Sequence, residues 1–348
     1  MYKRIIFLSY ILILFTGCKT DFSVNGEYEE RAIVHFLLDQ GKEYHFLKLN
    51  KTFLKDGDAF QFAKESDLHY FDNVVAVVEE VKNGNTVRSW TLQDTVIHNK
   101  KEGVFYSPEQ KLYFFKADDL DEDAIYRLNI DIDNGNHIVT GQTELVKGVS
   151  IKSPLPNQLF NFYDNTGYKS TPVTFNAGNG GTFKAQINFE YDEFEGSSSS
   201  RKSLIWNLGE INRIDMPSST STMFANGEAF YEYLAARIPV KPEVTKRVVK
   251  RVEILLTAGS NDLQTYILTN EPTSTLAQNK PVYSNVEGAL GIFSSRVTVV
   301  QEKPNPGSLS ERALSQHSTR ELCTGSYTYQ LMFCSDLQAD LTEPFSCY

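Results

Sequence analysis

Two Asn-Gly dipeptides, Asn83-Gly84 and Asn134-Gly135, each stand between apolar segments that read as strands. Asn73 to Val81 (NVVAVVEEV) precedes the first, and Thr86 to Leu92 follows it. Before the second, Tyr126, Leu128, Ile130 and Ile132 alternate with polar residues, and Ile138 to Thr143 returns. Asn and Gly both tolerate the positive φ of a two-residue hairpin turn, so each dipeptide predicts adjacent antiparallel strands. Over Tyr126 to Ile132, period-two alternation puts one side chain in two on a buried face, as a half-buried strand requires. Ala32 to Leu38 and His45 to Leu49 add two more short strands around a polar turn, Asp39 to Glu43. Repeated short strands without helical periods between them predict an immunoglobulin-like β-sandwich over residues 31–148.

Val149 to Asn157 carries Pro154 and Pro156 and reads as an interdomain crossing. A second β-rich domain is expected over 149–307. Thr171 to Asn176 leads into the turn Gly178-Asn179-Gly180-Gly181, after which Phe183, Ala185, Ile187, Phe189 and Tyr191 alternate. Gly196 to Ser200 reads as a loop tip, and Leu204 to Leu208, Val248 to Thr257, Tyr266 to Thr269 and Ile292 to Val300 as further strands. One helix is expected from Gly227 to Ile238, with Asn226 as N-cap and Pro239 as its stop. Ser308 and Glu311 match a capping box, which predicts a short helix from Leu309 to Gln316 at the head of a Cys-containing tail, 308–348. The fold class is therefore mainly β: two β-sandwich-like domains with one or two short helices in the C-terminal half. High Tyr and Phe counts (18 and 23) against two Trp and four Met suit pleated, half-buried surfaces.

The start of the chain, MYKRIIFLSYILILFTGC, has two cations (Lys3, Arg4), an apolar run from Ile5 to Phe15, then Thr16-Gly17-Cys18. A membrane-spanning helix needs about twenty apolar residues, so this run is too short. Its three-part layout is that of a secretory signal. It resembles a bacterial lipoprotein signal, which implies removal of residues 1–17 and lipidation of Cys18, testable with a palmitate analogue. Phe15 stands where that pattern prefers an aliphatic residue. Residues 18–30 read as a polar tether whose acids (Asp21, Glu27, Glu29, Glu30) start a little behind the Cys.

The net charge of −10 argues against nucleic acid or a bare anionic bilayer as partner. One basic stretch, Lys241 to Arg251, carries Lys241, Lys246, Arg247, Lys250 and Arg251 against Glu243. It reads as the solvated face of an edge strand, with a docking patch for an acidic partner as the alternative. Cys323, Cys334 and Cys347 lie within the last 26 residues and permit one disulfide with one thiol left over, the pairing open. Asp118, Asp119, Asp121, Glu122 and Asp123 form the best metal candidate, a carboxylate cluster of the kind calcium takes, although the spacing is not that of an EF-hand. The alternative is a solvated loop between strands.

Catalytic patterns are weak. The six His residues are scattered without an H-E-x-x-H pair, and no G-x-S-x-G elbow occurs. Ser199-Ser200-Arg201-Lys202 matches S-x-x-K by letter inside a Ser-rich loop. The glycines at 178, 180 and 181 precede a strand, so they offer no helix N-terminus to a phosphate. Neither an enzyme nor a cofactor is expected on these grounds.

Asn285 to Ser295 (NVEGALGIFSS), after a Pro-containing irregular segment, resembles a group of Bacteroidota lipoproteins known as a domain of unknown function. The likeness covers most of the chain as a layout: a lipobox, a strand-rich N-terminal half with an immunoglobulin-like look, and a C-terminal half ending near an aromatic Gly-x-Phe segment and Cys residues. It implies a lipid-anchored outer-membrane protein, facing the periplasm or the cell surface, that acts by binding, with a TonB-dependent nutrient-uptake receptor as partner. It transfers no catalytic residue. A structural or adhesive lipoprotein is the alternative, and a glycan-acting enzyme with paired carboxylates the remaining one.

Overall fold

The computed structural model describes residues 30–52, 59–65, 69–98, 103, 109–271, 282–304, 306 and 311–348. The expected leader and Cys18 lie outside them. From the start, the chain forms β1 (Ala32–Gln40), β2 (Tyr44–Lys51), the single-turn α1 (Ala59–Phe62), β3 (Val74–Lys82), β4 (Asn85–Thr91), β5 (Gln93–Ile97), β6 (Gln110–Lys116), β7 (Ile125–Ile132) and β8 (His137–Glu144). It continues through β9 (Val149–Ser153), β10 (Tyr163–Asp164), β11 (Gly167–Tyr168), β12 (Ser170–Ala177), β13 (Thr182–Glu195), β14 (Ser198–Asn212) and β15 (Thr220–Asn226). Then follow α2 (Gly227–Arg237), β16 (Val244–Gly259), α3 (Asn261–Asn270), β17 (Val286–Glu287), β18 (Ala289–Lys303) and α4 (Gln316–Thr324). At 54% strand and 14% helix the chain is mainly β.

Both Asn-Gly hairpins form as expected. Asn83 and Gly84 have φ of 51° and 81° and turn β3 into β4; Asn134 and Gly135, at 56° and 88°, turn β7 into β8. An eight-stranded sheet runs in the order β14-β13-β16-β18-β1-β2-β6-β5, and a five-stranded sheet in the order β17-β8-β7-β3-β4. Between the two sheets lies one core. Val34, Phe36, Leu38, Leu47 and Phe293 meet Val78, Leu128, Ile130 and Val139 there, all fully buried.

The division at 148/149 does not hold. β1 pairs in parallel with β18, from Ala32 opposite Ala289 to Gln40 opposite Val297, and β17 pairs with β8. Residues 31–148 therefore lack a strand of their own sandwich, which the chain supplies some 250 residues later. β18 has a second role: its C-terminal half pairs antiparallel with β16, from Val252 opposite Lys303 to Gly259 opposite Arg296. One strand thus belongs to both halves, and the sheet is continuous through it.

The second half packs against the remaining strands of that sheet. Phe183, Ala185, Ile187, Phe189 and Tyr191 of β13 all face inward as their alternation predicts. A three-stranded sheet, β15-β12-β9, covers part of this face, and α2 covers more with Phe230, Tyr231 and Leu234. The Asn226 side chain caps α2, accepting a hydrogen bond from the Ala229 amide at 3.0 Å. Tyr266 to Thr269 is helix rather than strand: Ser260 accepts from the Leu263 amide at 3.2 Å, and that cap starts α3 against β-favouring side chains. The expected Leu309–Gln316 helix is also displaced. Ser308 to Ser310 lie outside the described residues, Leu314 instead bridges to Phe160, and helix begins at Gln316 behind the Ser315 cap. No helix among the described residues is long and apolar enough to cross a membrane.

Where β18 ends, Lys303 is fully buried and its ammonium donates to the carbonyls of Leu155 and Pro156, the latter at 2.7 Å. Burial pushes its pKa down from the usual lysine value of 10.5 to about 8. Above pH 8 the folded chain gives up a proton that the unfolded chain still holds, so stability rises with pH from there toward 10. Urea unfolding of wild type is expected to gain up to about 1.4 kcal/mol per pH unit in this window relative to Lys303→Met. Parallel pH profiles for the two proteins would refute this.

Candidate functional site

Side chains of β1 and β2 alternate between the core and the outer face of the eight-stranded sheet. Val34, Phe36 and Leu38 point inward with His45, Leu47 and Leu49, leaving His35, Leu37 and Asp39 outside with Tyr44, Phe46 and Lys48. The outer positions of a solvent-facing sheet are ordinarily polar. Here Tyr44 and Phe46 are 44% and 46% exposed, and Phe114 of β6 lies opposite Phe46 in register. The three rings form one patch, with centroids 6.5 Å (Tyr44–Phe46), 6.0 Å (Phe46–Phe114) and 6.0 Å (Tyr44–Phe114) apart. Lys116 stands 5.9 Å from the Tyr44 ring and pairs with Glu43.

Tyr44 and Phe46 form part of the floor of an open trough of about 550 Å³, bounded by His35 and Leu37 at one end and by Asp39, Lys42, Glu43 and Arg296 at the other. Each end holds a polar atom without a partner. Asp39 is 9% exposed; its Oδ2 accepts from Arg296 Nε at 2.9 Å and Nη2 at 2.7 Å, while its buried Oδ1 has no hydrogen bond. His35 Nε2 lies 2.9 Å from the Tyr266 hydroxyl of α3, and its buried Nδ1 has none. Burial and then the charge of Lys48 hold the His35 pKa below the ordinary value, so the ring is neutral at neutral pH. A buried polar atom left unsatisfied costs about 1–3 kcal/mol, and both of these lie beneath the trough's surface, closed off from solvent. Behind the floor, His45 is locked: its Nε2 donates to the Ala117 carbonyl at 2.9 Å and its Nδ1 accepts from the Asp39 amide at 3.3 Å.

The residues singled out by sequence fall elsewhere. Cys334 and Cys347 form a disulfide with Cα atoms 5.0 Å apart, and Cys323 is the thiol left over, its pKa pushed up to about 12 by burial. The acidic cluster does not converge as a calcium site would require. Asp119 takes Arg88 Nη1 at 2.8 Å on both oxygens, Asp121 pairs with Lys82, and Asp123 takes Lys147 at 2.7 Å, while Asp118 is exposed. Among the described residues no three His, Cys, Asp or Glu side chains come together as metal ligands. The loop is organised by cations of β3, β4 and the segment after β8.

The basic stretch is not an edge strand. β16 lies inside the sheet between β13 and β18, and its cations meet the chain's own carboxylates. Arg247 pairs with Glu193, Lys250 with Asp336, and Arg251 with Glu190, Glu253 and Glu302. The S-x-x-K letters lie on β14, where Arg201 pairs with Asp192.

Tyr44, Phe46 and Phe114 carried a signal that alternation alone does not use. In Tyr44-His45-Phe46-Leu47-Lys48-Leu49 both parities carry apolar side chains, Tyr44 and Phe46 on one and Leu47 and Leu49 on the other, so one of the two sets had to remain outside the core.

The chain matches no protein family profile and no curated protein. Among solved structures it is similar to the C-terminal globular domain of an oligosaccharyltransferase from Pyrococcus abyssi, at 10% identity and TM-score 0.23. That match covers 66% of this chain and 48% of the other, so the chain spans about half the length of that domain. CBD12 from CALX1.2 (9% identity, TM-score 0.15, covering 77% of this chain and all of that one) is similarly distant. Calcium binding domain CBD12 of CALX1.1 gives 10% identity and TM-score 0.14, covering 77% of this chain and 98% of the other.

Proposed function

We propose that the protein is a lipid-anchored component of the bacterial outer membrane that acts by binding, as an accessory of a TonB-dependent nutrient-uptake receptor. The observation that carries the binding reading is the trough: an exposed patch of Tyr44, Phe46 and Phe114 on the outer face of a sheet, where polar side chains are the rule. The leader ending in Thr16-Gly17-Cys18 supports the anchor. The acidic net charge fits a protein that works beside a membrane rather than on it electrostatically. Receptor partnership rests on the resemblance of the Asn285–Ser295 segment.

The test takes two steps on the full chain in its host envelope. Wild type is expected to incorporate a palmitate analogue and Cys18→Ser to lose it; an unlabelled wild type removes the anchor. Cross-linking and affinity recovery from outer membranes should then return a receptor in stoichiometric amount. Recovery of lipids and porins alone would instead favour a spacer, a role that the continuous eight-stranded sheet could also serve.

A further inference from the structure

We propose that Asn83 is a site of spontaneous covalent modification. In the folded chain it loses its side-chain amide to attack by the Gly84 nitrogen and becomes isoaspartate or aspartate, while the other Asn-Gly pairs of the fold are held unreactive.

The chemistry needs only the chain and water. The Gly84 nitrogen gives up its proton and attacks Asn83 Cγ. A bond forms between them, the Cγ–Nδ2 bond breaks, and Nδ2 takes up a proton and leaves as ammonia. Water then opens the five-membered succinimide at one of its two carbonyls. Opening at the backbone carbonyl leaves isoaspartate, and opening at Cγ leaves aspartate. Nothing is oxidised or reduced. Glycine is the permissive neighbour because it has no side chain to obstruct the approach.

The pairs differ in what holds the two reacting groups. Of the five in the chain, Asn25-Gly26 lies outside the described residues. Asn179 is tied at both ends of its amide, Oδ1 accepting from the Lys147 amide at 2.7 Å and Nδ2 donating to the Leu145 carbonyl at 3.2 Å. The Gly180 nitrogen beside it donates to the Ala177 carbonyl at 3.0 Å. Asn226 is committed as the cap of α2, and the Gly227 nitrogen donates to the Lys169 carbonyl at 2.7 Å. At Asn134 the nucleophile is held, the Gly135 nitrogen donating to Asp131 Oδ1 at 2.5 Å. Asn83 and Gly84 are exposed, and among the described residues neither the Gly84 nitrogen nor the Asn83 side chain has a hydrogen-bond partner. The Asn83 backbone carbonyl, which accepts from Asn85 Nδ2 at 3.3 Å, takes no part in the reaction.

Topology acts in the same direction. Asn83 and Asn134 have φ of 51° and 56°. In this left-handed region the following nitrogen points away from the side chain, so the ring closes only once the turn has opened. β4 is the edge of the five-stranded sheet, with β3 as its one neighbour, whereas β7 and β8 lie inside it. Opening at Asn83 peels back the end of an edge strand; opening at Asn134 disturbs two interior strands. The product places a negative charge beside Lys82 and, as isoaspartate, one more backbone carbon in the turn that Lys82 and Asn85 close.

The experiment incubates the purified full chain at mildly alkaline pH in heavy-oxygen water, digests it at acidic pH and maps the peptides by mass spectrometry. Labelling with an isoaspartyl methyltransferase tells the two products apart. Asn83 is expected to take up heavy oxygen and to convert at least about tenfold faster than Asn134, Asn179 or Asn226. That ratio corresponds to about 1.4 kcal/mol, the order of one hydrogen bond. In urea, where the fold is lost, the four rates should draw together. Asp131→Ala frees the Gly135 nitrogen and should speed Asn134 severalfold while leaving Asn83 unchanged. Equal rates at Asn83 and Asn134 in the folded chain, or the same ranking in urea, would each overturn the inference. An Asn134 rate untouched by Asp131→Ala would overturn the hydrogen bond as its protection.

Discussion

Gly291→Ala is expected to lower stability by on the order of 4 kcal/mol, while Gly84→Ala costs about 1 kcal/mol. Both glycines have positive φ, +116° at Gly291 and +81° at Gly84, so a side chain is strained at either. They differ in surroundings. A Cβ at Gly84 would meet nothing within 4 Å, whereas at Gly291 it would sit 1.9 Å from the Val34 carbonyl oxygen. Gly291 is thus where β18 passes close enough to β1 to complete the first sandwich. Gly288, at φ +74° and with the Ile138 carbonyl 2.2 Å from a Cβ position, does the same against β8. Asn285 secures the approach, accepting from the Phe293 amide at 2.9 Å and donating to the Phe293 carbonyl at 2.7 Å. Since whole domains are stable by about 5–15 kcal/mol, the substitution should remove a large share of that margin. Urea midpoints of the two variants decide it; equal losses would show that the contact between β18 and β1 is not what fixes Gly291.

That contact also shows where the sequence stopped being informative. The segment from Asn285 to Ser295 stood out as a motif, and its glycines prove to be packing requirements rather than chemistry. Asn83-Gly84 and Asn134-Gly135 were readable because a hairpin is closed by its own two residues. The alternation from Phe183 to Tyr191 was readable because burial follows parity. Neither kind of signal names a distant partner, so the pairing of β1 with β18 was invisible, and with it the error at residue 148. The same limit hid the roles of Arg247 and Arg251, whose carboxylate partners lie on other strands. Ser260 as a cap was local and available, but Tyr266-Ile267-Leu268-Thr269 has strand-favouring composition and outweighed it. The trough was half readable, in the doubled apolar parity of β2. Its polar ends depend on β18 and α3 and were not.

Arg247→Met is expected to cost about 3–5 kcal/mol and to loosen the C-terminal tail. Arg247 is fully buried and Glu193 is 2% exposed; the guanidinium reaches Glu193 Oε2 through Nε at 2.9 Å and Nη2 at 2.7 Å. It also donates to the carbonyl of Pro239 at 2.9 Å, just after α2, and to that of Leu331 at 2.5 Å. Its backbone takes part as well, the amide bonding Met332 and the carbonyl accepting from Cys334. Removal leaves Glu193 buried with only Lys241 to pair with, and frees the tail beside Cys334. Two readouts separate this from ordinary core damage. The first is the thiol of Cys323, half-buried in the wild type, which should alkylate faster in the variant. The second is pH. Burial raises the Glu193 pKa, but Lys241 and Arg247 together outweigh it, so the folded value lies below the ordinary 4.5. A depressed carboxylate contributes stability that is complete above its unfolded pKa and is lost as pH falls through the folded one. The wild type should therefore lose stability on acidification below about pH 4.5 more steeply than Arg247→Met, and Arg247→Met/Glu193→Leu should recover part of the loss at neutral pH. A variant with wild-type stability, or with an unchanged acid limb, would mean that the pair does not hold the tail to the sheet.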